Sequence, residues 1–98
     1  VARVELAPEI TQDFDRIVAH LMLHASGALS ARLNEIVQAI DVLAHSPLIG
    51  RPPANGKREL VIGRKSQGYV ALYQYVDKLD TVFVLALRSQ REPGYART

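Results

Sequence analysis

A chain of 98 residues is read as one domain over residues 1–98, long enough to bury roughly 60–70% of its unfolded surface without staples. It has no cysteine, which excludes disulfides and thiolate metal sites, and no apolar run approaches the ~20 residues of a membrane helix. Twelve Lys and Arg against ten Asp and Glu leave a net charge of +2, a smaller excess than a dedicated nucleic-acid binder carries. The N-terminus shows no charged-then-apolar signal, so a cytoplasmic location is expected.

Ala2 to Leu6 alternates polar and apolar and predicts a short first strand. Pro8 and Glu9 suit the first turn of a helix, where a missing N–H costs nothing and a carboxylate meets the positive end of the dipole. From there Ile10, Phe14, Ile17, Val18, Leu21 and Met22 recur at helical spacing until Ser26-Gly27 ends the run. A second helix is predicted on Leu29, Leu33, Ile36, Val37, Ile40 and Leu43, with Arg32, Glu35, Gln38 and Asp41 outward, and it stops before Pro47. Ser46 to Lys57 is rich in Pro and Gly and reads as irregular. The period then changes to two, which predicts strands over 58–63, 68–76 and 81–87, joined by the GRKSQG and DKLD turns. The order β-α-α-β-β-β predicts an α+β fold, a helical hairpin on one face of a small curved antiparallel sheet. If helices cover one face only, the other is left to bind something.

Few constellations carry chemistry. His20 and His24 lie four apart on the first predicted helix, but His45 is on the other and no acidic motif accompanies it, so no metal site is expected. Gly50 and Gly56 lack the lysine-serine ending of a phosphate loop, and no serine has a histidine and acid in a nucleophile pattern. In GYVALYQYV, Tyr69, Ala71, Tyr73 and Tyr75 share one face and Val70, Leu72, Gln74 and Val76 the other. Neither set is polar, so the strand is expected to be central, its tyrosines filling core edges with hydroxyls reaching water. Acids gather early, at Glu5, Glu9, Asp13 and Asp15, whereas Arg51, Lys57, Arg58, Arg64 and Lys65 crowd the middle and Arg88, Arg91 and Arg97 the end. Arg51, Arg58, Arg88 and Arg91, with Tyr95, are therefore the candidates for a clamp on phosphate or on a partner's carboxylates.

The words GRPP, REL, GYVALYQYV and DTVFVLALRSQREPGY, in this order of elements, resemble the RelE/ParE superfamily of toxins from bacterial type II toxin–antitoxin modules, also known as plasmid stabilisation proteins. The resemblance covers nearly the whole chain and is strongest over the last forty residues. It implies the fold already derived, no cofactor, and an antitoxin whose disordered C-terminal part folds on the toxin and brings acidic residues. Such pairs often assemble as hetero-oligomers. RelE-like members are ribonucleases that cut mRNA in the ribosomal A site; ParE-like members share the fold and poison DNA gyrase.

This sequence departs from the nuclease pattern. The arginine expected directly after the Gly-Tyr of the central strand is Val70, and the lysines of the preceding strand find Glu59 and Val61. Removing one preorganised donor at a scissile phosphate commonly costs about 10²–10³ in rate. The resemblance thus points to a ParE-like growth inhibitor held by an antitoxin. Target contacts are expected at Arg88, Arg91, Glu92 and Tyr95, in a terminal segment taken to be exposed, and antitoxin contacts at Arg51, Arg58, Val70, Leu72, Arg88 and Arg91. The alternatives are a ribosome-dependent endoribonuclease using Arg58, Arg91 and Tyr95, and a member that binds antitoxin without toxicity.

Overall fold

The computed structural model describes residues 1–64 and 67–96, without the side chains at 53 and 54. Lys65 and Arg97 lie outside the described residues. The elements are β1 (Arg3–Leu6), α1 (Ile10–His24), a 3-10 turn (Ser26–Ala28), α2 (Leu29–His45), β2 (Arg51–Ala54), β3 (Lys57–Ile62), β4 (Tyr69–Val76) and β5 (Thr81–Ser89). The strands form one sheet in the order β1-β5-β4-β3-β2.

The helical hairpin packs on one face of that sheet, as expected, with two differences of detail. β1 pairs in parallel with β5, so the sheet is mixed rather than purely antiparallel. The stretch read as irregular contains β2, which makes the order β-α-α-β-β-β-β. Asn55 and Gly56 both adopt positive φ, 57° and 74°, and Ala54 pairs with Lys57 around them. Two consecutive positive-φ residues make the turn whose twist matches that of a hairpin. Pro52 and Pro53 cannot donate to a ladder, and β2 tolerates them because it is an edge strand bonded only to β3.

The core lies between hairpin and sheet. Ile17 and Leu21 of α1 and Ile36 and Leu43 of α2 meet Ala71 and Tyr73 of β4 and Val82, Val84 and Leu87 of β5. Each large side chain fully buried there stabilises by roughly 1.5–3 kcal/mol. The helical periods are those of the sequence except at three positions: Met22 and Val37 are exposed, and Asp13 is buried on the apolar face of α1.

β4 is central, with β3 on one side and β5 on the other. Its Tyr73 is fully buried, and its hydroxyl accepts the Gly50 N–H at 2.8 Å rather than reaching water. A Cβ on Gly50 would stand 2.7 Å from the Tyr73 ring and hydroxyl and 2.8 Å from the Glu59 carbonyl, so only glycine fits. Tyr75, nearer the strand end, donates to Asp80 at 2.7 Å. Among the described residues, no helix is long and apolar enough to cross a membrane.

Candidate functional site

The alternation of a strand puts every second residue of β3, β4 and β5 on the face away from the helices. Cross-strand pairing arranges them in two rows. Arg51, Glu59, Leu72 and Ala86 lie opposite one another in the first row, and Val61, Val70 and Arg88 in the second. Between Leu72 and Tyr73 the β4–β5 register shifts, leaving Leu85 as the extra residue of a bulge.

This face is apolar in its middle, as the sequence suggests, but it is not open. Val70 and Leu72 retain 1% and 6% of their exposure, although no helix lies on their side. The C-terminal tail covers them. The Tyr95 hydroxyl donates to Glu59 Oε2 at 2.6 Å, and the Arg88 guanidinium carbon lies 5.2 Å from the Tyr95 ring centroid. Glu59 and Arg88 stand on the strands either side of β4, so a ring that touches both crosses β4 above Val70 and Leu72.

The electrostatics of this latch are consistent. The Tyr95 hydroxyl, with Arg51 assisting, holds the Glu59 carboxyl below the usual carboxylate range against the opposing effect of burial. Burial first, and then the bond to Glu59, push the Tyr95 phenol well up, so its proton stays on the donor. Arg51 Nε and Nη2 both donate to Glu59 Oε1 at 3.2 Å. Arg88 Nη1 donates to the carbonyls of Ser89 and Glu92 at 3.3 and 3.1 Å, while its buried Nε has no hydrogen-bond partner among the described residues.

The tail reaches this face by turning round the end of the sheet, and a half-buried network centred on the buried Asp13 fixes the turn. Asp13 accepts the Leu87 N–H at 3.0 Å and a bond from Arg16 at 3.0 Å. Arg16 also donates to Glu92 at 2.8 Å and to the Leu87 carbonyl at 3.1 Å. Glu92 closes the loop by accepting the Ser89 N–H at 2.6 Å. Burial lowers the proton affinity of Arg16, but Glu92 and Asp13 more than offset it, so its pKa is raised. Sequence reading missed this network because Asp13 on a helix reads as solvated; its signal was a carboxylate at i, i+3, i+4 spacing from Ile10 and Ile17.

The expected site residues are therefore only partly brought together. Arg51, Arg88, Val70, Leu72 and Tyr95 share the face, and Glu59, not among the expected site residues, stands between Arg51 and Leu72. Arg58 does not join them. It pairs with Tyr73 on the helix side, and its guanidinium donates to the carbonyls of Leu48 and Gly50 at 3.3 and 2.8 Å, clasping the entry to β2. Glu92 is half-buried and bonded to Arg16 and the Ser89 N–H, and in the terminal segment Tyr95 is half-buried while Pro93 and Gly94 are exposed. Arg91 is exposed and lines a cleft beside α1 instead of the sheet face. The trio Arg58, Arg91 and Tyr95 does not converge. His20 and His24 have ring centroids 4.6 Å apart, and the described residues contain no cluster of three or more metal-ligating groups.

The comparisons with known proteins agree with this architecture. The chain is similar to the crystal structure of the intact RelBE toxin–antitoxin complex of E. coli, with a TM-score of 0.57 and 15% identity over 94% of this chain and 100% of that one. It is also similar to the isolated E. coli RelE toxin in its P21 form, with a TM-score of 0.56 and 15% identity over 95% of this chain and 89% of that one. Identity so low speaks to the fold alone. No curated protein sequence matches the chain. Residues 4–94 match the family model of the ParE toxin of the type II toxin–antitoxin system parDE. The chain belongs to the ParE toxin family.

Proposed function

We propose that this chain inhibits growth by gripping a protein target, DNA gyrase, with the sheet face opposite its helices, and that a cognate antitoxin competes for that face. The observation that carries this reading is the composition of the face. Val70, Leu72 and Ala86 form its floor, and Glu59, a carboxylate, stands beside that floor on β3. A phosphodiester is repelled by that charge, whereas a polypeptide buries the apolar floor and meets the flanking Arg51 and Arg88 with its own carboxylates. Displacing Tyr95 exposes both at once. An acidic antitoxin segment that folds on the toxin would make these contacts and leave Arg58 untouched.

A second reading rests on one observation: Glu59 contacts Arg51 and Tyr95, and the Tyr95 ring lies beside Arg88. A carboxylate can take the proton of an attacking 2′-hydroxyl, and arginines can hold the phosphate. Against it, Arg51 is already bonded to Glu59, and Tyr95 shields the carboxylate.

Purified protein added to a gyrase supercoiling assay separates the two. Inhibition of supercoiling without cutting of ribosome-bound mRNA is expected. Translation-dependent mRNA cleavage abolished by Glu59→Gln would establish the nuclease instead, and growth unaffected by expression would remove both.

A further inference from the structure

On the helix side, where the tail leaves β5, a cleft of about 600 Å³ opens between α1, the start of α2 and the tail. Its size is that of small-molecule sites. It lies on the other side of the sheet from the latch and is not part of the proposed target-binding face.

Cations dominate its polar lining. Arg16, Arg32 and Arg91 line it with Glu92, and a second carboxylate, Glu35, pairs with Arg32 and acts on Tyr69. The Glu92 carboxylate is already occupied by Arg16 and the Ser89 N–H. The Arg16 and Arg32 guanidiniums are held in place before any ligand arrives, Arg16 by Asp13 and Glu92 and Arg32 by Glu35 at 3.4 Å and the Gln67 side chain at 2.7 Å. Preorganised guanidinium is the geometry that recognises phosphate oxygens.

A neutral donor stands among these charges. The Tyr69 hydroxyl has no hydrogen-bond partner among the described residues, and burial raises its pKa, so it keeps its proton as a donor. Ile17, Leu21 and Pro93 supply an apolar floor. The paired rings of His20 and His24 form one wall. Cations beside an apolar floor and an imidazole wall fit a ligand that joins a phosphate to an apolar body.

We infer that this cleft is a binding site for a small phosphorylated molecule of nucleotide size, its phosphate held by Arg32 and the Tyr69 hydroxyl and its planar body against the His20–His24 wall. The site does not depend on which target the toxin face engages. Because the cleft's far wall is the tail that carries Tyr95 to the opposite face, a bound ligand restrains that tail.

The test is titration of the full chain with AMP, followed by backbone NMR shifts. Saturable binding with Kd below about 1 mM is expected, with shifts around Tyr69, Ser89 and α1. Arg32→Gln should weaken it about tenfold, the share of one charge-assisted hydrogen bond. Tyr69→Phe, which keeps the core packing, should weaken it severalfold. Lys78→Gln, in the remote β4–β5 turn, should leave it unchanged. Inorganic phosphate should bind at least about tenfold more weakly than AMP, because it lacks the apolar body. The inference fails if AMP does not saturate by about 10 mM, if Arg32→Gln and Lys78→Gln have equal effects, if phosphate and AMP bind alike, or if a glutamate-rich peptide takes the cleft in preference to AMP.

Discussion

The two faces of the sheet are built on opposite principles. On the helix side, fully buried aliphatic and aromatic side chains from α1, α2, β4 and β5 interlock. On the other side a few tail residues cover Val70 and Leu72, held by one hydrogen bond to Glu59, a stacked Arg88 and the Glu92 turn. Apolar packing is spread over many contacts and resists any single change. A polar latch concentrates its hold in two or three groups, so a competitor that satisfies those groups can open it. The first face therefore stores stability, and the second is the one that, under the proposed function, exchanges its cover for a partner.

That contrast orders the expected effects of mutation. The largest belongs to the helix face: Leu43→Ala leaves a cavity in the fully buried layer and should cost about 2–5 kcal/mol by urea denaturation. A loss under about 1 kcal/mol would mean that the hairpin is loosely seated. Next comes the hinge between the faces. Asp13→Ala strands the buried Leu87 N–H and half of the charge balance of Arg16, which should cost roughly 3 kcal/mol. The same variant should loosen residues 89–95 in hydrogen exchange.

The latch itself should be worth less. Tyr95→Phe removes the bond to Glu59 while keeping the ring, for about 1 kcal/mol. If the faces work as described, this variant binds antitoxin at least as well as the parent, because the tail no longer competes for Glu59. Weaker binding would make Tyr95 a contact rather than a cover.

The smallest effect is on pH. The carboxyl of Glu59 has a lowered pKa when folded, so its share of stability is present above the unfolded value of about 4.3 and is lost as pH falls through the lower folded value. The phenol of Tyr95 has a raised pKa, so its share is present below about 10 and is lost as pH rises through the higher folded value. Hydrogen exchange of the tail, corrected for intrinsic rates, should thus be flat from about pH 5 to 9 and rise outside that window.

Much of this architecture was legible in the residues. The i, i+3, i+4 recurrence of Ile10, Ile17 and Leu21, and of Ile36 and Leu43, locates the helices because burial acts on periodic positions. The double apolar face of GYVALYQYV marks β4 as central for the same reason. The pairing of β1 with β5 was not legible, since alternation says nothing of strand direction. β2 was obscured by its prolines, although the Asn55-Gly56 turn signalled it.

The candidate site was half visible. Strand parity gave Val70 and Leu72 their face, and charge drew attention to Arg51 and Arg88. The destination of the tail was not encoded in any period. It depends on a hydrogen bond between residues 36 positions apart, Glu59 and Tyr95. Nor does arginine content distinguish Arg58, spent on backbone carbonyls, from Arg51 on the opposite face.

The position of the Tyr95 ring in the free protein tests the central claim most directly. Nuclear Overhauser contacts between its ring protons and the methyl groups of Val70 and Leu72 should be strong at neutral pH and should vanish when an antitoxin peptide binds. A free protein in which those methyl groups show no contact to Tyr95, or a complex in which the contacts persist unchanged, would contradict the account.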